Sequence, residues 1–396
     1  MNKIYDSIVI GAGLIGSAAA KYISEAERNV ALIGPDEEMV SNQKIVFSSH
    51  YDSSRIQRIF GTDEIFTLLN QQSSNEYDTI EKRSKIIFHS KEGCLYVNPS
   101  GMDAYLKMIP QQAKIFDIKY QSFQSGISLN KFIVEFNFPS SARGIFENSP
   151  SGYINPRLLI KAQQFLFKKN GGALFNDTVI KVNYEKDLIK IETPGGKIYR
   201  SKKVLLAPGA FINFFHLLKR KLLLRLKSET TILAKVSPEE AFRLVNLPAL
   251  LYKINQPEIQ DIYLVRPIQY PDGNFYLKMG ANIPDDICFN NLTEIQKWFK
   301  KENRKINLKP LKEALINLIP NLSIQKCHAG KCIVSYTQHG KPYIGEVERK
   351  IFVAAGGNGY SAMCSDALGR IAATILLKNK FPSQFFQKDF EPVFVD

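Results

Sequence analysis

Short runs of consecutive apolar residues, bounded by glycine, proline or charge, recur along this chain and predict buried strands. The first, Ile8-Val9-Ile10, continues a strand-like segment that begins at Ile4 and runs directly into Gly11-Ala12-Gly13-Leu14-Ile15-Gly16. Small and apolar residues follow at helical density through Ser17, Ala18, Ala19, Ala20 and Tyr22, and a second run, Val30-Ala31-Leu32-Ile33, comes at βαβ distance. Residues 86–150 alternate Ile86-Ile87-Phe88, Cys94-Leu95-Tyr96-Val97 and Phe132-Ile133-Val134 with turns, which predicts a β-rich stretch. Residues 155–169 predict a helix, with Pro156 suited to its first turn and Gly171-Gly172 to its end. Strands are expected near 179–183 and 188–192, a turn at Gly195-Gly196, and a buried run at 203–210 that ends in Pro208-Gly209-Ala210. Residues 229–280 again predict strands, with Tyr270-Pro271-Asp272-Gly273 as a turn, and 292–318 predict helices. The strand Ile351-Phe352-Val353-Ala354-Ala355, the turn Gly356-Gly357-Asn358-Gly359 and an alanine-rich helix to about Leu377 form a second strand–glycine–helix unit.

The glycines of the first unit have separable roles. Gly11 allows the tight strand-to-helix turn, Gly13 lets the backbone approach a pyrophosphate, and Gly16 permits close helix–strand packing. The helix N-terminus then offers N–H groups and a positive dipole end to phosphate. Ala12, Leu14 and Ile15 lie between these contacts. The acid expected at the end of the second strand is replaced by Gly34-Pro35, so the ribose contact falls to Asp36 or Glu37, about 20 residues past Gly16. The motif indicates a dinucleotide and does not separate NAD from FAD. A buried strand ending in Pro208-Gly209, some two hundred residues later, points to a cofactor domain interrupted by a second domain.

With 396 residues, the chain exceeds what one hydrophobic core usually organises. Charged residues at 23% and hydrophobic ones at 44% exclude a disordered or collagen-like chain. Lys plus Arg (52) exceeds Asp plus Glu (38), and a net charge of +14 favours anionic partners without choosing among them. The five cysteines form no CxxC pair, so neither a disulfide framework nor a metal site is expected. No apolar run approaches a membrane span, and the strand at Ile4 leaves no room for a secretion signal ahead of it, so a cytoplasmic protein is expected.

Taken together these segments resemble the D-amino-acid-oxidase-like FAD flavoproteins, and most of all the monomeric sarcosine oxidase group. The resemblance rests on the order and spacing of the glycine fingerprint, Ser54-Arg55-Ile56-Gln57-Arg58, Val179, Leu206-Ala207-Pro208-Gly209-Ala210, the Lys278 strand, the 332–345 segment and the 356–359 turn. It implies an α/β fold: a discontinuous FAD-binding Rossmann-like domain (1–85, 151–215, 326–396) with an inserted antiparallel β-sheet substrate domain (86–150, 216–325). It implies that Lys278 promotes reaction with O2, where a fixed cation stabilises the negative charge that develops on oxygen. On local grounds alone Lys278 reads equally as a solvated edge lysine. Arg55 would lie close to the flavin, and Arg58 would pair with a substrate carboxylate through the planar guanidinium fork. Composition alone reads this segment as a solvated basic loop. Cys332 would anchor the flavin covalently, helped toward the thiolate by neighbouring Lys331, although a buried cysteine is ordinarily a packing residue.

Two positions depart from the family pattern. A second carboxylate-binding lysine falls at Met363, and a pair of histidines becomes His50-Tyr51. A bulkier or less acidic amine than N-methylglycine is therefore expected as substrate, with Tyr263, Arg266 and Tyr360 as further pocket residues. The resemblance thus implies an FAD-dependent oxidase that converts a small amine or amino acid to an imine and O2 to hydrogen peroxide. The alternatives are a dehydrogenase or demethylase of the same fold using another acceptor, one acting on a modified nucleoside in RNA included, and a non-catalytic flavin-binding assembly protein. The basic residues are dispersed, which argues against nucleic acid.

Overall fold

The computed structural model describes residues 3–37, 45–48, 50–101, 103–256, 258–302 and 306–395. Two large sheets organise them. The first is built on β1 (Ile4–Ile10), which pairs in parallel with β2 (Val30–Ile33) on one side and with β12 (Ile198–Leu206) on the other. Beyond β2 lies β9 (Ala173–Phe175), also parallel. The first half of β12 pairs antiparallel with β11 (Leu188–Glu192), and through it with β10 (Lys181–Glu185). Its last three residues pair in parallel with β20 (Ile351–Ala355), which continues to antiparallel β19 (Tyr343–Glu348). The apolar runs at 8–10, 30–33, 203–206 and 351–355 are these parallel strands. Buried on both faces, such strands need continuous apolar stretches rather than alternation.

Helices α1 (Leu14–Ala26), α5 (Pro156–Lys169) and α9 (Ser365–Lys378) pack against one another beside this sheet, and α2 (Glu64–Ser84) packs on α9 and α5. One buried carboxylate joins three of them. Asp366 of α9 accepts from Lys21 Nζ at 2.6 Å, from Tyr22 Oη at 2.6 Å and from Gln163 Nε2 at 3.2 Å. Removing Lys21 or Asp366 would strand a buried charge at a cost of about 3–5 kcal/mol.

The second sheet runs β17 (Cys288–Phe289), β13 (Leu224–Val236), β16 (Phe275–Ala281), β15 (Ile259–Gln269), β14 (Ala249–Gln256), β5 (Cys94–Asn98), β7 (Arg143–Glu147), β6 (Tyr120–Phe123), with β18 (Lys326–Thr337) along β13. It is antiparallel except where β14 meets β5. One face is covered by α8 (Lys309–Leu318) and α6 (Pro238–Arg243). The opposite face carries the site. A short third sheet joins β3 (Arg55–Gln57), β8 (Gly152–Ile154) and β4 (His89–Ser90). The fold is thus α/β, a parallel-cored dinucleotide domain assembled from separated stretches and a mainly antiparallel sheet inserted between them. β18 belongs to the second sheet, although it lies within the stretch expected to return to the cofactor domain.

The 86–150 stretch is less β-rich than its apolar runs suggest. It contains α3 (Ala104–Phe116) and α4 (Gly126–Phe132), each started by a side-chain cap, Asp103 to the Leu106 N–H and Ser125 to the Ser128 N–H. In α3 the buried Leu106, Ile109 and Ala113 recur at helical spacing. Residues 86–88 form no strand, and 132–134 are the end of α4 and a turn. The short α6 likewise interrupts a region expected to be all strand, and α7 (Leu292–Lys300) with α8 fills the expected helical segment.

Candidate active site

A cavity of about 900 Å³ reaches from the β1–α1 loop, past the face of the second sheet, to the turn after β20. Its size is near the top of the roughly 300–1,000 Å³ range of small-molecule sites. Gly11, Ala12, Gly13, Leu14 and Ile15 form one end. Gly11 has φ +107°, and a Cβ there would lie 2.3 Å from the Ala207 carbonyl oxygen; one on Gly16 would lie 1.8 Å from the Gly11 oxygen. Gly16 therefore closes the loop against the strand and does not face the cavity. Gly13 is the contrast: a Cβ there would meet nothing nearer than His50 Nδ1 at 3.8 Å, so the backbone is open to an incoming group. Among the described residues no side chain caps α1, and its first turn holds no acid. That leaves the dipole end of α1 available to an anion.

Register sets the facing wall. On β16, Lys278 pairs with Val265 of β15 and Leu233 of β13, while Gly280 pairs with Tyr263 and Thr231. Glu229 pairs with Cys332 of β18. Alternation places Lys278, Tyr263, Glu229 and Cys332 on one face, and all four line the cavity. Lys278 sits in the middle of the sheet and is 1% exposed, which sets aside the reading as an edge lysine. Its Nζ donates to Asp52 Oδ2 at 2.6 Å and to the Ser54 carbonyl at 3.0 Å. Asp52 also accepts from Arg55 Nη1 and, at 2.8 Å, from Tyr270 Oη. Burial raises the Asp52 carboxyl, but Lys278 and Arg55 outweigh it and hold the group well below the usual carboxylate range. Burial and Arg55 push the Lys278 ammonium down, against Asp52. Tyr263 donates to Glu229, and burial together with that carboxylate keeps its phenol well above its ordinary value.

Cys332 lines the cavity with Arg55 Nη2 at 4.0 Å from its Sγ. Burial pushes the thiol up, and Arg55 opposes this. Lys331 does not help, contrary to the expectation from its neighbourhood in sequence. Its Nζ turns away to the carbonyls of Phe299 and Lys301.

Arg58 follows β3 and is 4% exposed, so the run from 54 to 58 is no solvated loop. Nη1 donates to the Phe60 carbonyl at 2.7 Å and to Tyr105 Oη at 2.8 Å, whereas Nε is buried without a partner. The guanidinium lies 5.1, 5.6 and 5.9 Å from the ring centres of Tyr96, Tyr105 and Tyr360. Among the described residues no carboxylate forms an ion pair with it. Glu147, the nearby acid, is engaged by the N–H groups of Ile59 and Phe60 and by Ser151. Arg58 is thus a buried cation that lines the cavity and retains unpartnered donors.

The turn after β20 contributes Gly356, Gly357, Asn358, Gly359 and Tyr360. Asn358, at φ +52°, staples the turn: its Oδ1 accepts from the Thr337 N–H at 2.9 Å and its Nδ2 donates to the Gly356 carbonyl at 2.8 Å. Met363, Val179, Pro208 and Gly209 line the cavity as well.

Besides Gly16, four expected site residues do not line it. Asp36 is exposed, and Glu37 forms a two-pronged pair with Arg157; Gly34 and Pro35 stand at the wall instead. Ser54 contributes only its carbonyl, to Lys278 and Arg55. Arg266 pairs with Glu92 at 2.8 Å and lies over Tyr153. Sequence reasoning missed Asp52, Glu229, Tyr270, Tyr96 and Tyr105. Only the alternation of Lys227, Glu229, Thr231 and Leu233 along β13 could have pointed to one of them.

A family model described as FAD dependent oxidoreductase matches residues 6–375. This chain belongs to that family. N-methyl-L-tryptophan oxidase of Citrobacter koseri is 26% identical over 209 residues, 52% of this chain and 54% of the relative. The match therefore spans about half the length of such curated relatives. Among solved structures, NikD, an unusual amino acid oxidase of nikkomycin biosynthesis, superposes with TM-score 0.76 at 16% identity over 99% of this chain and 98% of its own. Glycine oxidase from Geobacillus kaustophilus gives 0.71 at 17% identity over 98% of both. At these identities the solved structures share the fold. The residues present fit FAD: an uncapped helix N-terminus for the pyrophosphate, a glycine at the point of closest approach, and a long cavity leading to paired cations. No helix among the described residues is long and apolar enough to cross a membrane.

Proposed function

We propose that this protein oxidises the C–N bond of an amine or amino acid, secondary amines included, to an imine, with O2 as acceptor and hydrogen peroxide as product. The observation that carries this reading is Arg58, a buried guanidinium with unpartnered donors, ringed by tyrosines, in the same cavity as the paired cations. Such a group fits a carboxylate, and the tyrosine faces fit apolar substrate carbon. The names of the relatives, oxidases of N-methyl-tryptophan and of glycine, support the same class.

FAD, when bound, supplies the two-electron acceptor. Arg58 would hold the substrate carboxylate and so fix which carbon–nitrogen bond is presented. Met363 adds no second cation, so a carboxylate is held at one end only, and the space beside it suits a bulkier group than N-methylglycine carries. The substrate loses two electrons and two protons as its C=N bond forms, and water then hydrolyses the imine. O2 takes up two electrons and two protons as peroxide. Lys278 Nζ, fixed by Asp52 and the Ser54 carbonyl, would stabilise the negative charge that develops on O2.

The test is anaerobic. A panel of secondary amines and amino acids is added to the yellow protein, and loss of flavin absorbance is followed by admitting air and assaying peroxide. Bleaching by at least one amino acid, with peroxide on aeration, is expected. A flavoprotein that none of the panel bleaches refutes the reading.

A further inference from the structure

We propose that Asp52 is a positioning residue that gathers Lys278 and Arg55 into one cluster and cancels one of the two positive charges they present to the cofactor cavity. This rests on reading the cavity as the FAD site.

The geometry is specific. Asp52 has both oxygens engaged: Oδ2 by Lys278 Nζ at 2.6 Å and by Arg55, Oδ1 by Tyr270 Oη at 2.8 Å and by the Ser53 N–H at 2.7 Å. Lys278 and Arg55 both donate a second time to the Ser54 carbonyl, at 3.0 and 2.9 Å. One short segment thus supplies the anion, the carbonyl and one of the cations, while β16 supplies the other cation from the middle of the sheet. Asp52, Arg55, Lys278 and Tyr270 all line the same cavity.

An ammonium 1% exposed within a sheet is driven toward neutrality unless an anion lies beside it. Asp52 supplies that anion, so the charge assigned to Lys278 depends on it. With Asp52 ionised, the three side chains sum to +1; with the carboxylate neutralised and the ammonium still protonated, the sum is +2. Electrons added to a cofactor in the same cavity are stabilised more by the second arrangement. Asp52 therefore lowers the cofactor's reduction potential while keeping the ammonium charged and still.

The readout is the midpoint potential of the bound flavin, measured by anaerobic dye equilibration on the holoprotein at a mildly acidic pH that keeps Lys278 protonated in the variant as well. Asp52→Asn keeps the shape and removes the charge. Its potential is expected to rise by at least about 30 mV, a tenfold change in the two-electron equilibrium constant. Tyr270→Phe strips one hydrogen bond from the carboxylate and concentrates its charge on the cations, so its potential is expected to fall. Opposite signs in the two variants support the proposal. A wild-type potential in Asp52→Asn, or a shift of the same sign in both, overturns it. If Asp52→Asn does not fold, Tyr270→Phe decides alone, and an unchanged potential there overturns the proposal. Wild-type protein that retains no flavin would instead overturn the cofactor reading beneath it.

Discussion

Replacing Arg58 by methionine removes the cation on which substrate recognition rests, and its effect can be worked from the hydrogen bonds. Nη1 is committed to the Phe60 carbonyl and Tyr105 Oη, which leaves Nε and Nη2 without partners among the described residues, the edge of the fork that a carboxylate would take. Two charge-assisted hydrogen bonds at about 1.5–3 kcal/mol each amount to roughly 3–6 kcal/mol. Each ~1.4 kcal/mol is a tenfold factor, so the affinity for an amino-acid substrate should fall by about 10²–10⁴. The fold should tolerate the change, because a buried cation without an anion costs several kcal/mol that methionine does not incur. The assay is rapid-mixing reduction of the bound flavin under nitrogen, comparing an amino-acid substrate with the amine that lacks its carboxylate. The carboxylate-bearing substrate should lose the full factor in apparent affinity, and the decarboxylated amine should change by no more than about threefold, since it makes no hydrogen bond with Arg58. Equal losses for both would show that Arg58 shapes the pocket rather than pairs with the carboxylate.

Lys278→Met should slow reoxidation by O2 far more than reduction by substrate; equal slowing of the two half-reactions, measured by stopped flow, would remove Lys278 from its assigned role. Acid precipitation should leave the yellow colour with the pellet if Cys332 holds the cofactor covalently, and Cys332→Ser should release it to the supernatant. Gly16→Ala places a methyl 1.8 Å from the Gly11 carbonyl and should cost more than about 3 kcal/mol in a denaturant titration, whereas Gly13→Ala, whose methyl would sit at ordinary contact distance, 3.8 Å from His50 Nδ1, should fold normally and lose flavin affinity. His89 is buried, and burial pushes its imidazole down to about 4. Between pH 6.5 and 4 the unfolded chain binds a proton that the folded one refuses, so stability falls as pH drops through that window, by up to about 3 kcal/mol. His89→Gln should flatten that decline in urea unfolding measured across the window.

Much of the cofactor half was legible from local pattern. Ile8-Val9-Ile10, the glycine loop and Val30–Ile33 are neighbours in sequence, and a βαβ unit needs only local information to form. The stop and start signals around α5 were equally local, with Asn155 capping at Leu158 and Pro156 in the first turn. The miss at 86–150 has a physical reason as well. Three-residue apolar runs fit a strand or one side of a helix, and the caps at Asp103 and Ser125, which decide the matter, lie outside the runs.

The candidate site divides along the same line. By itself the amino-acid sequence determined that a glycine loop of dinucleotide type follows the first strand and that a second glycine turn follows a late buried strand, and its resemblance to flavoproteins singled out Arg55, Arg58, Lys278 and Cys332. Only the tertiary structure decided that Asp52 meets Lys278 across 226 positions of chain, that Glu147 is engaged by backbone N–H groups beside Arg58, and that Arg266 and Glu37 are drawn off by Glu92 and Arg157. Charge partners are chosen by sheet register and by the closing of long loops. A carboxylate in a polar run such as His50-Tyr51-Asp52-Ser53-Ser54 carries no local sign of the cation it will meet.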